Sequence, residues 1–171
     1  MGKDETRVII FSIAFAFIEA ATVVYLRHLI GSIESPDTSA EILFLVPGIA
    51  FLEPQAAVKI ITDSEILNIE KIREAATLVM LGTVAMLAAK KIKEQIAYFF
   101  LAFGVWDIFY YIFLKLTIGW PQSIGDLDIF FLLPTPWVGP VFVPILISLF
   151  LITGSVFYLS LCRPLEDSND T

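Results

Sequence analysis

Three carboxylates interrupt otherwise apolar stretches of the chain: Glu19, Glu74 and Asp107. Ionisable groups at membrane depth cost several kcal/mol, so each marks a functional site or an internal partner. Acids in such surroundings can bind a cation, pass protons or act as general acid or base. Asp107 lies in the most aromatic part of the chain, Phe103-Gly104-Val105-Trp106-Asp107-Ile108-Phe109-Tyr110-Tyr111, which runs on to Lys115. At about 100° per residue, Gly104, Asp107, Tyr110, Tyr111 and Lys115 share a helical arc of about 140°. Trp106, Phe109 and Phe113 are left to face lipid or neighbouring helices.

These residues must be positioned by membrane-spanning helices. Of the 171 residues, 57% are hydrophobic and 17% charged, and the mean hydropathy is +0.82, values foreign to a soluble domain. A net charge of −7, with no basic cluster longer than Lys90-Lys91-Ile92-Lys93, argues against nucleic acid as a partner and against electrostatic docking on anionic lipid. The apolar runs predict spans over 8–30, 66–89, 95–117 and 138–162, each able to cross about 30 Å of hydrocarbon. The first reads as a signal anchor, because a carboxylate is foreign to the apolar core of a cleaved signal peptide. In it Ser12 and Glu19 share a face, with Thr22 about 60° away. Glu70 and Glu74 share another with Thr77 and Leu81, and Asp63 or Ser64 is the expected N-cap of that helix. The last span has no charge. Pro140 and Pro144 lie near its outer end, Ser148 and Ser155 share a face, and Gly154-Ser155 allows a second backbone to come close.

Between these spans, 31–40 reads as a polar loop and 166–171 as a disordered acidic tail. Segment 41–62 is ambiguous. It is apolar, but Pro47-Gly48, Glu53 and Pro54 interrupt it. With four spans, Lys3, Arg7, Lys90, Lys91, Lys93 and Arg163 fall on the cytoplasmic side together, whereas a fifth would separate them. The segment is therefore expected outside, lying on the surface or dipping partly in. The outer loop containing Asp126 and Asp128 reads as a short amphipathic cap or a re-entrant piece. The expected architecture is an all-α integral membrane protein, a four-transmembrane-helix bundle with partly structured extracytoplasmic loops and both termini cytoplasmic.

Counted from the cytoplasmic ends, Glu19, Asp107 and Glu74 reach heights of about 18, 21 and 24 Å. Arg27, Arg73 and Lys115 stand above them on the same helices. Turned inward, these faces enclose a polar cavity open to the outside, with Glu19, Glu74 and Asp107 as the binding or proton site and Arg27, Arg73, Tyr110, Tyr111 and Lys115 in support. Such a cavity suits binding or transport of a small solute, cation or proton. A membrane enzyme using a carboxylate on an amphipathic substrate is the second reading, and an accessory subunit whose network serves packing alone is the third. No phosphate loop, nucleophile elbow or metal-ligand spacing is present, which lowers the enzyme reading. One histidine, His28, and one cysteine, Cys162, are too few for haem bis-ligation, a disulfide or a multi-His metal site. No cofactor or metal is expected, an all-carboxylate metal site being a minor alternative. The expected partners are the lipid bilayer and a second copy or another membrane subunit.

Four motifs carry a resemblance: Arg73-Glu74-Ala75-Ala76-Thr77-Leu78-Val79-Met80-Leu81, the aromatic stretch from Phe103 to Tyr111, Gly119-Trp120-Pro121, and Pro134-Thr135-Pro136-Trp137-Val138-Gly139-Pro140-Val141. With Tyr25-Leu26-Arg27 after Glu19, they resemble a group of small prokaryotic polytopic membrane proteins to which no activity is assigned. The likeness covers about half the chain and is weakest over 41–62. It implies a prokaryotic cytoplasmic membrane and carries no catalytic residue with it.

Overall fold

The computed structural model describes residues 2–30 and 42–162. The polar loop expected over 31–40, the boundary expected at Arg163 and the acidic tail lie outside the described residues. Four long helices form the body: α1 (Lys3–Ile30), α3 (Ser64–Ala88), α4 (Ile92–Ile118) and α5 (Phe142–Cys162); α2 (Ala56–Ile60) is short. Three of them, α1, α4 and α5, are long and apolar enough to cross a membrane, and the chain is an integral membrane protein. Helix α3 has comparable length, but Glu65, Glu70, Lys71, Arg73 and Glu74 crowd its first half.

Local chemistry explains the helix ends. Asp4 and Glu5 open α1 while Arg27 and His28 close it, each charge complementing the helix dipole. Asp63 caps α3, its carboxylate accepting from the amides of Glu65 and Ile66, which would otherwise lack partners. Helix α4 stops at Gly119, whose φ of 71° is open to glycine at little cost. Helix α4 is central and packs against α1, α3 and α5.

The expectation of helices alone is corrected by a four-stranded antiparallel sheet, formed by β1 (Ile42–Val46), β2 (Ile49–Leu52), β3 (Leu127–Phe131) and β4 (Trp137–Pro140) in the order β1-β2-β4-β3. Over its described residues, segment 41–62 has no helix long enough to span; it is the β1-β2 hairpin followed by α2. Pro47-Gly48, which breaks the apolar run, makes the hairpin turn: Val46 pairs with Ile49 across it, and Gly48 has a φ of 84°. The connection between α4 and α5 supplies β3 and β4 to the same sheet, so two segments far apart in sequence meet at Phe51 and Trp137. A side chain on Gly139 would collide with the carbonyl oxygen of Gly48, which is why the hairpin can lie against β4.

Two further boundaries move. The last helix starts at Phe142 rather than 138, because Trp137–Pro140 pairs in the sheet. The close approach expected at Gly154 occurs instead at Gly104. A Cβ there would stand 2.8 Å from the Ser148 carbonyl oxygen and 2.8 Å from Ile152, whereas one at Gly154 would meet nothing within 4 Å. Helices α4 and α5 therefore cross most tightly beside Asp107.

Candidate functional site

The sheet covers the end of the bundle where α1 and α4 finish and α3 begins. Between the two lies a cavity of about 100 Å³ lined by Glu19, Arg27, Glu70, Arg73, Glu74, Trp106, Asp107, Tyr110, Tyr111, Asp128 and apolar groups that include Ile129, Phe130, Phe131 and Leu132. Apart from Lys115, the helical faces read from spacing turn inward: Ser12 and Glu19 on α1, Glu70, Glu74, Thr77 and Leu81 on α3, and Gly104, Asp107 and Tyr111 on α4 are buried. Glu19, Glu74 and Asp107, from three helices, therefore line one space.

Each carboxylate has a distinct partner. Arg73 bridges two helices: its Nε and Nη2 donate to Glu70 Oε2 at 2.8 and 2.7 Å, and its Nη1 meets Glu19 Oε1. Glu19 Oε2 also accepts from the Thr77 hydroxyl at 3.2 Å. Glu74 is held by neutral donors, the backbone amides of Leu132 at 2.9 Å to both oxygens and of Leu133 at 3.2 Å. This carboxylate fastens the end of β3 to α3. Asp107 Oδ2 accepts from the Ser148 hydroxyl at 2.8 Å, across the tight α4–α5 crossing.

A fifth acid, Asp128, was not among the residues singled out from the sequence. It hangs from β3 into the cavity, accepts from the Tyr111 hydroxyl at 2.9 Å and stands 3.7 Å from Arg27 Nη2. Burial pushes its carboxyl up from 3.8 to about 6, while the Tyr111 hydroxyl and the Arg27 guanidinium pull the other way. Arg27 is turned inward, as expected of a supporting residue of the cavity. Its guanidinium lies 4.2 Å from the centre of the Trp120 ring, a cation–π geometry. Trp106, expected to face lipid or another helix, is 5% exposed and lines the cavity.

Lys115 occupies the expected arc but not the cavity. Its ammonium donates to the carbonyl oxygens of Gly119 at 3.2 Å and Pro121 at 2.8 Å, tying down the chain where α4 ends. His28 is exposed, with Nδ1 at 2.8 Å from the Val24 carbonyl. Among the described residues, no three His, Cys, Asp or Glu side chains converge as a metal-ligand group.

The cavity thus joins five carboxylates to two guanidiniums, enclosed by aromatic rings at one end of an apolar bundle. Such a space can hold a positively charged guest or relay protons between acids; both oxygens of Glu74 are already engaged by amides, which leaves Asp107 the freer acid. Comparison of the chain with family models, with curated proteins and with solved structures gives no match.

Proposed function

We propose that the chain is a four-span protein of a prokaryotic cytoplasmic membrane that binds or transports a small cationic solute, or protons, through this cavity. In this reading α3 is the fourth span and both termini lie in the cytoplasm, so that the sheet and cavity face outward. The charged first half of α3 fits a span of this kind because Glu70, Arg73 and Glu74 point into the protein and not into lipid. The observation that carries the reading is the charge balance of the cavity. Arg27 and Arg73 stand beside Asp128, Glu19 and Glu70, while Glu74 and Asp107 are held by neutral donors. Five carboxyl groups against two guanidiniums leave acids without a basic partner, and these can ionise to hold a cation or pass a proton.

The competing reading is a network that serves packing alone, favoured by the fact that each of the five acids has a protein partner. Proteoliposomes separate the two. A transport or proton-relay role gives cation or proton flux above that of protein-free vesicles, abolished by Asp107→Asn in a protein that still folds. No flux in the wild type, or unchanged flux in Asp107→Asn, leaves packing as the role of the network. Copurification with another subunit in a fixed ratio would favour the accessory role.

A further inference from the structure

We infer that the guest of the cavity is a small organic ammonium bearing a hydrogen-bond acceptor, of the size of ethanolammonium; this rests on the cavity being a cation site. Three features separate such a guest from an inorganic ion. The first is the wall. Trp106, Tyr110, Tyr111, Phe130 and Phe131 line the space together with the acids, and aromatic faces attract ammonium groups, most strongly when water is excluded. A hard metal ion instead requires several converging oxygens, and no three candidate ligands converge among the described residues.

The second feature is an unused donor. Trp106 is 95% buried, since 5% of it is exposed, and its Nε1–H has no acceptor among the described residues. A buried N–H without a partner is costly and uncommon in native proteins. A bare ammonium cannot supply an acceptor, whereas a guest with a hydroxyl or carboxylate oxygen can. Arg27 Nε is likewise buried and unpaired, so the cavity wall offers donors as well as acids. A guest positive at one end and oxygen-bearing at the other meets both.

The third feature is size. The cavity of about 100 Å³ far exceeds the roughly 10–15 Å³ needed for one water and falls below the roughly 150 Å³ of a cavity that takes benzene. Scaled from that benzene cavity, there is room for about four non-hydrogen atoms. In such a guest the ammonium pairs with a carboxylate such as Asp107 and the oxygen accepts from the Trp106 N–H, both of which line the space.

The test compares two isosteric guests, ethanolammonium and propylammonium, which differ by a hydroxyl in place of a methyl. Affinities are measured by calorimetry on the protein in phosphatidylcholine nanodiscs, with potassium as the inorganic reference, for the wild type and Trp106→Phe. Phenylalanine keeps an aromatic ring but loses the N–H and the volume of the second ring; the lost volume acts alike on the two isosteric guests, so their affinity ratio reads the N–H. The expected result is that both ammonium ions bind, and that Trp106→Phe lowers the ratio of ethanolammonium to propylammonium affinity about fivefold, the value of one neutral hydrogen bond. A ratio unchanged by Trp106→Phe overturns the inference. If potassium or protons bind or are carried and neither ammonium competes, the inference falls while the cation reading stands; if no cation binds at all, both fall. Repeating the measurement with phosphatidylethanolamine in the nanodiscs identifies the source. Competition by that lipid assigns the ammonium to a headgroup and its absence to a free solute, either result upholding the ammonium chemistry.

Discussion

At the end of the bundle where α3 turns into α4, the helices meet through Val8, Ala16, Leu81, Ala85, Ala97, Leu101 and Leu159, all buried and all apolar. At the sheet end the same helices meet through Glu19, Arg73, Glu74, Asp107 and Thr77, around a void. Lipid is as apolar as leucine, so burying hydrocarbon between spanning helices gains little over leaving it in the bilayer. The turn end is therefore held by close packing, with alanines at the crossings. The sheet end replaces packing with directional hydrogen bonds, which tolerate an open space. The comparison teaches that the cavity is where the fold gives up packing, and that its polar network must then hold the helices and the sheet in place.

Substitutions at the two ends test that division, beginning with the largest effect. Leu101→Ala, at a fully buried site of the turn end, should lower stability by about 2–3 kcal/mol, the cost of the cavity and lost packing contacts alone, measured by denaturant titration in mixed micelles, while leaving the proposed cation binding intact. An equal loss of binding would erase the distinction between the ends. Glu74→Gln should cost about 1–3 kcal/mol, because the amide cannot accept at both positions as the carboxylate does. Its more specific signature is faster hydrogen exchange at the amides of Leu132 and Leu133, with the turn end unchanged. If those amides stay protected, Glu74 does not fasten the sheet.

The smallest effect is a pH dependence confined to the sheet end. In the folded protein Asp128 keeps its proton up to about pH 6, against 3.8 for the unperturbed carboxyl. Because the folded state binds the proton more tightly, the stability from this group is fully present below about pH 4. It is lost as the pH rises to about 6 and is level above that. Asp128→Asn should remove this slope and leave the rest of the pH profile of unfolding in place. A slope that survives the substitution would assign it to another carboxyl.

The helices and their inward faces were legible because helical periodicity is local: Glu70, Glu74, Thr77 and Leu81 lie on one stripe whatever surrounds them. Asp63 announced the start of α3 for the same reason, since a cap acts within one turn. The sheet was not legible. Its central pairing joins Phe51 to Trp137, and no local pattern links residues so far apart. Asp128 was hidden with it. Asp126, two residues earlier, accepts from the amides of Gln122 and Ser123 in its own turn, and only the pairing of β3 with β4 sends Asp128 inward. Lys115 shows the opposite error: its arc was right, but it lies too near the helix end to reach the cavity and binds the returning backbone instead.

By itself, then, the sequence determined that this is a membrane protein with acids on the inward stripes of its helices, because hydropathy and helical phase are properties of short stretches of chain. Only the tertiary structure decided which partner each acid takes, that two connecting segments fold into one sheet over them, and that the Trp106 N–H at the cavity has no acceptor among the described residues. Those outcomes depend on contacts across the chain, where the meeting of distant segments, and not the character of either one, sets the chemistry.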